Sequence, residues 1–518
     1  MMRKKMFKNR LTQYFGAAML LIVGQACTDL EPNFQDSVSV ETAEGDFGGV
    51  TSTANSLEAL YNNIENLNAQ NNEYALMEVS ADNIAVLTRG ADWGDNGVWR
   101  QLHNHTWNAT QLYVLNAWNN RNSQILAATQ LLDPASGPSP AIAAQARVIR
   151  AINTFMVLNF FGQVPFRGVN DGVDVDPTVL SAQEAFDLVI SDLNSAIDSG
   201  DLTDPGPTGD LFTISESAAR FIRAKVNLNA EAILGAAPAG AYDAVIADVN
   251  AIEVAGFELD PGTGPYGYFD IFDLSATTGV NSEVIMALSV GTGERVFNMI
   301  HPNQTGWNGF VTLTETFRLF GTADVNDDAR LGLAGPDFNG LSTGYLRGQQ
   351  LNGSGDPLFD RQGAPLVYED ELLTSLEINN ERTGIRIVKY PQRGDDGFPD
   401  TSNDFIWIRY AEALLMRAEA TLRGGTGGPT ALVDVNAIRS RAGVAQLGSI
   451  TLEELEDEIT KEMNSETNIA GRRAVQIRFG NFAGTWELKD VQDEFRNLFP
   501  IPQTALGSNP NLVQNPGY

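Results

Sequence analysis

The stretch AIAAQARVIRAINTFMVLNFF, residues 141–161, decides the fold class of this chain. Val148, Ile152 and Phe155 recur at the spacing of an amphipathic helix, and the next four residues, GQVP, end it because glycine and proline interrupt helical periodicity. Similar helical patterns separated by polar loops fill most of residues 50–256. Paired helices at intervals of roughly 35–40 residues are typical of a degenerate tetratricopeptide-like array. We therefore predict a mainly α protein in which helix pairs stack as an α-α superhelix.

The segment that follows these helices differs from them in composition. Gly, Pro, Asp and Asn are frequent, and two short strands are predicted, over residues 283–290 and 384–390. A helical pattern resumes from Phe405 to Ala420. Because ligand-binding residues concentrate on loops held by a rigid scaffold, we expect the loop-rich segment to carry the binding surface. The predicted parts of the domain over residues 50–518 are a helical scaffold (50–256 and 403–465), a loop-rich insertion (257–402) and an irregular C-terminal tail (466–518).

The N-terminus resembles a secretory leader. Five basic residues lie within the first ten, and the apolar stretch 15–23 that follows is too short to span a bilayer. Cys27, the single cysteine, comes soon afterwards. We predict that residues 1–26 are a lipoprotein signal peptide, that Cys27 is acylated and that residues 27–49 form an acidic tether. The alternative is cleavage nearby with an incidental Cys27, since Gly24 stands where leucine is expected.

The charge balance restricts the partners of the protein. Asp and Glu number 65 against 34 Lys and Arg, a net charge of −31, and loss of the five basic residues with the leader would make it about −36. Such a surface repels nucleic acid and anionic lipid head groups, so we expect no nucleic-acid partner and membrane attachment through the lipid anchor only. The ligand is expected to be neutral or cationic rather than polyanionic.

No catalytic motif can be completed from the sequence. Ser342 lies in a G-x-S-x-G pattern, but that triad needs a later histidine and none follows His301. His103 and His105 lack a third metal ligand. Residues 324–335 begin like a calcium loop but lack its glycine and its bidentate glutamate. We therefore expect a non-enzyme without cofactor or metal, with a structural calcium of other geometry as an unsupported alternative.

Four stretches of the chain resemble the SusD/RagB family of outer-membrane nutrient-uptake lipoproteins, in that family's order. The stretches are Ala146–Pro165, Arg409–Ala420, Val435–Gly443 and the C-terminal Pro500–Tyr518. The last is the most specific, since it closes with NPNLVQNPGY. Residues 470–481 depart from the family pattern, which puts the packing of that segment in doubt.

The resemblance implies a SusD-like fold and a function. It implies a non-catalytic lipoprotein of the cell outer membrane, facing the cell surface, that captures oligosaccharides and delivers them to a SusC-like TonB-dependent transporter. The helical scaffold would face the transporter and the loops would hold the glycan. A peptide-capturing import lipoprotein and a secreted glycoside hydrolase stay as alternatives.

Sugar recognition needs aromatic faces for the C–H face of a pyranose and polar groups for its hydroxyls. Four of the seven tryptophans lie in or beside helical pattern and are expected in the core: Trp99, Trp107, Trp118 and Trp407. Trp93 and Trp307 instead lie among Asp, Asn and Gly, in the two regions from which SusD-like proteins build their glycan site. We predict that these two stack on sugar and that Asp82, Arg89 and Asn308 bond its hydroxyls.

Overall fold

α-Helices form most of the regular structure, 46% of residues against 11% in strands, which confirms the predicted class. The computed structural model describes residues 46–172, 174–203, 206–273, 281–321, 328–332, 341–392 and 401–518. The predicted signal peptide, Cys27 and the tether up to residue 45 lie outside these ranges, as do residues 324–327 and 333–335 of the calcium-like segment.

The described helices succeed one another along the chain from Thr53 to Ser508. They are α1 (Thr53–Glu65), α2 (Val98–His103), α3 (Leu112–Leu132), α4 (Pro140–Phe161), α5 (Ala182–Asp198), α6 (Glu216–Leu228), α7 (Ala230–Leu234), α8 (Ala241–Val254), α9 (Gly293–Phe297), α10 (Thr314–Arg318), α11 (Tyr410–Leu422), α12 (Ala431–Arg441), α13 (Leu452–Met463), α14 (Gly471–Phe479) and α15 (Gln503–Ser508). A helical turn, Asn72–Tyr74, continues as a π-helix, Ala75–Val79, between α1 and α2.

The described strands are short and pair antiparallel, two by two. They are β1 (Ile84–Val86), β2 (Val164–Phe166), β3 (Thr178–Leu180), β4 (Val284–Gly291), β5 (Phe310–Thr312), β6 (Gly344–Leu346), β7 (Gly348–Gln349), β8 (Val367–Tyr368), β9 (Arg386–Val388) and β10 (Asp404–Arg409). The pairs are β1–β5, β2–β3, β4–β10, β6–β9 and β7–β8.

The predicted helix over residues 141–161 is α4, and both of its ends follow from local chemistry. The Ser139 hydroxyl accepts the N–H of Ile142, and Pro140 occupies the first turn, where no intrahelical N–H bond is lost. At the other end Gly162 takes a left-handed φ of 72° and donates its N–H to the Leu158 carbonyl. This helix is long and apolar enough to cross a bilayer, but most of its apolar surface is buried in the core.

Successive helices pack side by side, as the predicted array requires. Helix α4 lies between α3 and α5, α6 packs on α8, and α11 packs on α12. Helix α8 also packs on α11, although the whole insertion separates them in sequence. The chain therefore leaves the scaffold after α8, builds the loop-rich part and returns to the same scaffold at α11.

The predicted helix from Phe405 to Ala420 is wrong in its first turn. Residues 404–409 form strand β10, which pairs with β4, and α11 begins only at Tyr410. The residues Phe405 to Ile408 are all buried, and a short run of aromatic and β-branched residues suits a buried strand as well as a helix. Trp407 is in the core as expected, but on this strand.

The tail over residues 466–518 is also more regular than predicted, since it contains α14 and α15. Its closing residues are fixed against α4. The Asn515 side-chain amide donates to the carbonyls of Phe161 (3.0 Å) and Phe499 (2.7 Å), and the Tyr518 hydroxyl accepts the Trp107 indole N–H at 2.6 Å. The C-terminal motif thus closes the end of the helix from which the fold was predicted.

A buried ion network ties β10 to the scaffold. The Arg409 guanidinium contacts carboxylates of Glu283 at 2.9 Å, Glu462 at 2.7 Å and Glu466 at 2.6 Å, and all four side chains are buried. Burial acts to raise the pKa of Glu462, but the Arg441 and Arg409 guanidinium groups lower it overall. These buried carboxylates can stay ionised because each is paired with a guanidinium group.

Candidate functional site

The two loops that carry Trp93 and Trp307 emerge side by side because β1 and β5 pair. Ala85 lies opposite Val311 in this antiparallel ladder, and the Leu87 N–H extends it by donating to the Gly309 carbonyl at 2.9 Å. The chain that leaves β1 and the chain that enters β5 are therefore adjacent. Strand pairing across more than 200 residues of sequence builds this site.

Trp93 lies at the junction of the two loops. Its indole N–H donates to the Trp307 carbonyl at 2.9 Å, and its ring meets Phe310 edge-on, with centroids 5.5 Å apart. The ring also lies against Gly309, where a Cβ would fall 2.2 Å from a ring carbon. Trp93 is half-buried and has a left-handed φ of 62°, which is costly for a bulky residue.

Trp307 is the more exposed of the pair, at 46% of its surface. The Trp307 ring packs on Phe297 at a centroid distance of 5.4 Å, and the main-chain N–H of Trp307 donates to the Phe297 carbonyl. The indole is therefore held on one side by the protein and presents area to solvent. This is the geometry that stacking on a ligand requires.

Arg89 and Asn308 lie beneath this surface rather than on it, at 5% and 2% exposure. The Arg89 guanidinium donates to the main-chain carbonyls of Asn308 (2.7 Å), Thr383 (2.9 Å) and Asn380. Burial lowers the pKa of Arg89 well below its usual value, and the nearby Arg386 adds to the effect. Arg89 therefore fixes three loop segments together.

Asn308 performs a similar task for the loop that carries Trp307. Its side-chain amide donates to the Glu381 carbonyl at 3.0 Å, and its side-chain oxygen accepts from Arg386 at 2.8 Å. Burial lowers the pKa of Arg386 to about 10. The side chains of Arg89 and Asn308 form hydrogen bonds to other protein groups in this conformation. Ligand contact by either residue stays a prediction.

Asp82 lies at the opposite end of β1 from Trp93, so the structure does not bring it to the same surface. Its carboxylate forms a bidentate pair with Arg472, at 2.6 and 2.7 Å. Arg472 lies in the segment that departs from the family pattern, and this ion pair fixes α14 to the chain before β1. Sugar binding by Asp82 stays an untested prediction.

Sequence reasoning missed Phe359 and Arg361. Phe359 is 49% exposed, and its carbonyl accepts the Asn303 side-chain amide at 2.7 Å, next to the Trp307 loop. Half-exposed Arg361 contacts Asp92 at 3.5 Å and also binds Glu381. Nothing in the local sequence marks these residues, because their exposure depends on distant loops. We call Trp93, Trp307, Phe359, Asp92 and Arg361 together the aromatic surface.

A His–Glu pair supports the aromatic surface from below. The His301 Nε2–H donates to Glu381 at 2.9 Å, while His301 Nδ1 accepts the Asn303 N–H at 3.0 Å, which fixes the neutral tautomer. Burial acts to raise the pKa of Glu381, but the Arg361 N–H, His301 and the Arg361 guanidinium lower it to about 2. Burial lowers the pKa of His301. This side chain is fully buried and cannot reach a ligand.

The residues of the aromatic surface are suited to binding a ligand. Exposed rings suit the C–H faces of sugars, and Asp92 and Arg361 offer an acceptor and donors for hydroxyls. Among the residues that the structure describes, no three His, Cys, Asp or Glu side chains group as metal ligands. His103 and His105 are buried and bond through Nε2 to the carbonyls of Glu487 and Ser80.

Comparisons of the sequence and of the structure with known proteins both find SusD-like or surface glycan-binding proteins. The SusD family model matches residues 362–478. The starch-binding protein SusD of Bacteroides thetaiotaomicron is 35% identical over 152 residues, so the match spans only 26% of that protein's length and 26% of this chain. The SusD-like protein P2 of Formosa agariphila is 24% identical across 97% of this chain and 99% of its own. The solved surface glycan-binding protein A of Bacteroides uniformis aligns with a TM-score of 0.63 at 20% identity, covering 89% of this chain and 98% of its own.

The stacked helix pairs with a loop-rich insertion have the fold of solved SusD-like proteins. The sequence motifs, the family model and the curated relatives agree with that fold. These matches support the assignment of the chain to the SusD/RagB family. Its relatives are named as binding proteins, which agrees with the expectation of a non-enzyme.

Proposed function

We propose that the protein is a non-catalytic cell-surface lipoprotein that captures oligosaccharides on the aromatic surface and delivers them to a partner TonB-dependent transporter. The observation that carries the proposal is the presentation of Trp307. The residue is 46% exposed, its ring packs on Phe297, and its main-chain carbonyl accepts the Trp93 indole N–H. A rigid, exposed indole binds a sugar ring with little loss of conformational entropy.

Two relatives support a carbohydrate as the ligand, since one is named starch-binding and another glycan-binding. The charge of the chain, −31 overall, favours a neutral oligosaccharide over a polyanionic one. Arg361 and Asp92 flank the rings at 51% and 58% side-chain exposure, so both are accessible to ligand hydroxyls. A chain of sugars would extend across the exposed rings.

Calorimetry of the purified protein against neutral, anionic and cationic oligosaccharides, together with peptides, tests this function. We expect a neutral oligosaccharide to bind, and Trp307→Ala to weaken it about tenfold, or about 1.4 kcal/mol. Phe212→Ala is the matched control, because Phe212 is an exposed aromatic on neither loop, and it should bind normally. Binding of peptides alone would replace the glycan by a peptide ligand. Release of shortened products would contradict the non-catalytic function.

Acylation of Cys27 and export to the outer membrane complete the proposal. Cells grown with a clickable palmitate analogue should label the parent protein and fail to label Cys27→Ser. Retained label in that variant would place the anchor elsewhere. A TonB-dependent transporter should co-purify with the tagged parent protein from solubilised outer membranes, and recovery of the protein without any transporter would contradict the delivery step.

A further inference from the structure

Lys225, Glu412 and Asn468 meet inside the protein in an arrangement that suits amide chemistry. Lys225 lies on α6, Glu412 on α11 and Asn468 between α13 and α14. The Lys225 Nζ donates to Glu412 Oε1 and to Asn468 Oδ1. The Asn468 Nδ2 donates to the other carboxylate oxygen, Glu412 Oε2, at 2.5 Å. One carboxylate therefore spans an amine and the nitrogen of a carboxamide.

The three groups are shielded from water. Lys225 and Asn468 are each 4% exposed, and the Glu412 side chain is 13% exposed. The Phe221 ring lies 5.7 Å from the Lys225 Nζ. Burial lowers the pKa of Lys225, which favours the neutral amine, the nucleophilic form. Contact fixed in this way gives a high effective concentration of amine at the amide.

We propose that Lys225 and Asn468 become joined by an intramolecular isopeptide bond, with Glu412 as the proton carrier. The geometry places each participant. The Lys225 Nζ contacts Oδ1 of the carboxamide whose Cγ it would attack. Glu412 Oε1 can accept the proton released from Nζ, and the carboxyl group can return a proton through Oε2 to the departing Nδ2.

The reaction balances without an added reagent. The lone pair of the neutral Lys225 amine forms a bond to Asn468 Cγ, and the carbonyl electron pair moves onto Oδ1. Glu412 takes a proton from Nζ and returns one to Nδ2. When the carbonyl re-forms, the Cγ–Nδ2 bond breaks and ammonia leaves. A primary amine and a primary amide thus become a secondary amide and ammonia, with no oxidation or reduction.

A cavity beside the three residues suits the leaving group. Its volume is about 30 Å³, and Lys225, Glu412 and Asn468 all contribute to its wall, together with Ile459 and Met463. That is room for one molecule of the size of water or ammonia. Limited access of water also protects the new amide from the reverse reaction, hydrolysis.

The bond would link parts of the chain that are 243 residues apart. It would fasten α6 to the segment that leads into α14, with α11 between them. A cross-link that closes so long a loop restricts the unfolded chain and opposes separation of the joined elements under load. Because the chain has a single cysteine and can form no internal disulfide, this bond would be a covalent cross-link in its core.

Peptide mapping of the full-length protein by mass spectrometry tests the proposal. Trypsin cannot cleave after a modified lysine, so residues 224–295 should appear joined to residues 462–472. The pair should weigh about 17 Da less than the sum of its two peptides, the mass of one ammonia. Complete recovery of residues 462–472 as a free peptide at its sequence mass, from fresh and aged protein, would overturn the proposal.

Three variants separate the roles. Asn468→Ala and Glu412→Gln should give only unlinked peptides and a lower Tm than the parent. Asn464→Ala is the matched control, since Asn464 borders the same cavity but bonds to Tyr345 and Thr312, and its map should retain the link. A link that persists in Glu412→Gln would overturn the role of Glu412. A link that persists in Asn468→Ala would overturn the assignment of Asn468.

Discussion

The Trp93 ring lies so close to Gly309 that a Cβ on the glycine would fall 2.2 Å from a ring carbon. Only a residue without a side chain at position 309 allows the indole of Trp93 to lie this close to the main chain that enters β5. The contact between Trp93 and Trp307 therefore depends on Gly309, although this glycine has no side chain to offer a ligand.

We expect Gly309→Ala to weaken oligosaccharide binding although every aromatic side chain is still present. The new methyl group must push Trp93 away and break its bond to the Trp307 carbonyl, so about a tenfold loss is expected, about 1.4 kcal/mol. Calorimetry measures the loss. Gly94→Ala is the control in the same loop, since Gly94 has a φ of −73° and its nearest neighbour is 3.8 Å away. Equal affinities for the two variants would show that the position of Trp93 does not matter.

Replacement of Arg89 distinguishes support from ligand contact. Arg89→Met removes the donor of the Asn308 and Asn380 carbonyls, while the Thr383 carbonyl keeps Arg386; an unsatisfied buried group such as the Asn308 carbonyl costs about 1–3 kcal/mol. We therefore expect a clear fall in Tm as well as weaker binding. Arg100→Met, at a more exposed arginine that pairs with Glu377, should change Tm little. Weaker binding of Arg89→Met at an unchanged Tm would instead identify Arg89 as a direct ligand contact.

The buried network around Arg409 should dominate stability where the insertion rejoins the scaffold. Arg409→Met removes the cation from Glu283, Glu462 and Glu466. We expect a loss of about 3 kcal/mol, since the buried carboxylates lose one cation and keep only Arg441 or Lys389 as a partner. Thermal unfolding measures it against Arg318→Met, an exposed arginine paired with Asp370, for which less than about 1 kcal/mol is expected. Similar Tm values for both variants would contradict a stabilising role of the buried pairing.

Apolar residues at helical spacing predicted the scaffold, and α4 is buried on all sides from Ala151 to Phe161. That spacing failed at Phe405, where a strand runs into α11 without a glycine or proline between them, so the boundary lies in the pairing with β4. The loops of Trp93 and Trp307 were assigned to one surface only through the family resemblance. Their contact depends on the β1–β5 ladder, and no local pattern specifies which strands pair across the insertion.

Glu78 provides a prediction whose sign depends on pH. Glu78 lies in the π-helix and is fully buried, with oxygens that accept from the Asn83 amide at 2.5 Å and the Arg472 N–H at 3.2 Å. Burial raises its pKa from 4.5 to about 7. Between these values the folded state holds a proton that the unfolded state has lost, so stability contributed by this group falls as pH rises from about 4.5 to 7 and is constant above.

Glu78→Gln keeps the shape but cannot ionise, so its Tm should exceed that of the parent at pH 8 and approach it at pH 5. A tenfold change in proton affinity corresponds to about 1.4 kcal/mol, so a pKa raised from 4.5 to about 7 should make the free energy of unfolding of Glu78→Gln about 3 kcal/mol higher than that of the parent at pH 8. Glu184→Gln is a control of opposite sign, because the Ser181 N–H and hydroxyl lower the pKa of exposed Glu184. The deficit in the Tm of Glu184→Gln should be present at both pH 8 and pH 5 and vanish only below the lowered pKa of Glu184. Scanning calorimetry at both pH values decides, and a gap for Glu78→Gln that does not change with pH would mean that Glu78 is already ionised in the fold at pH 5.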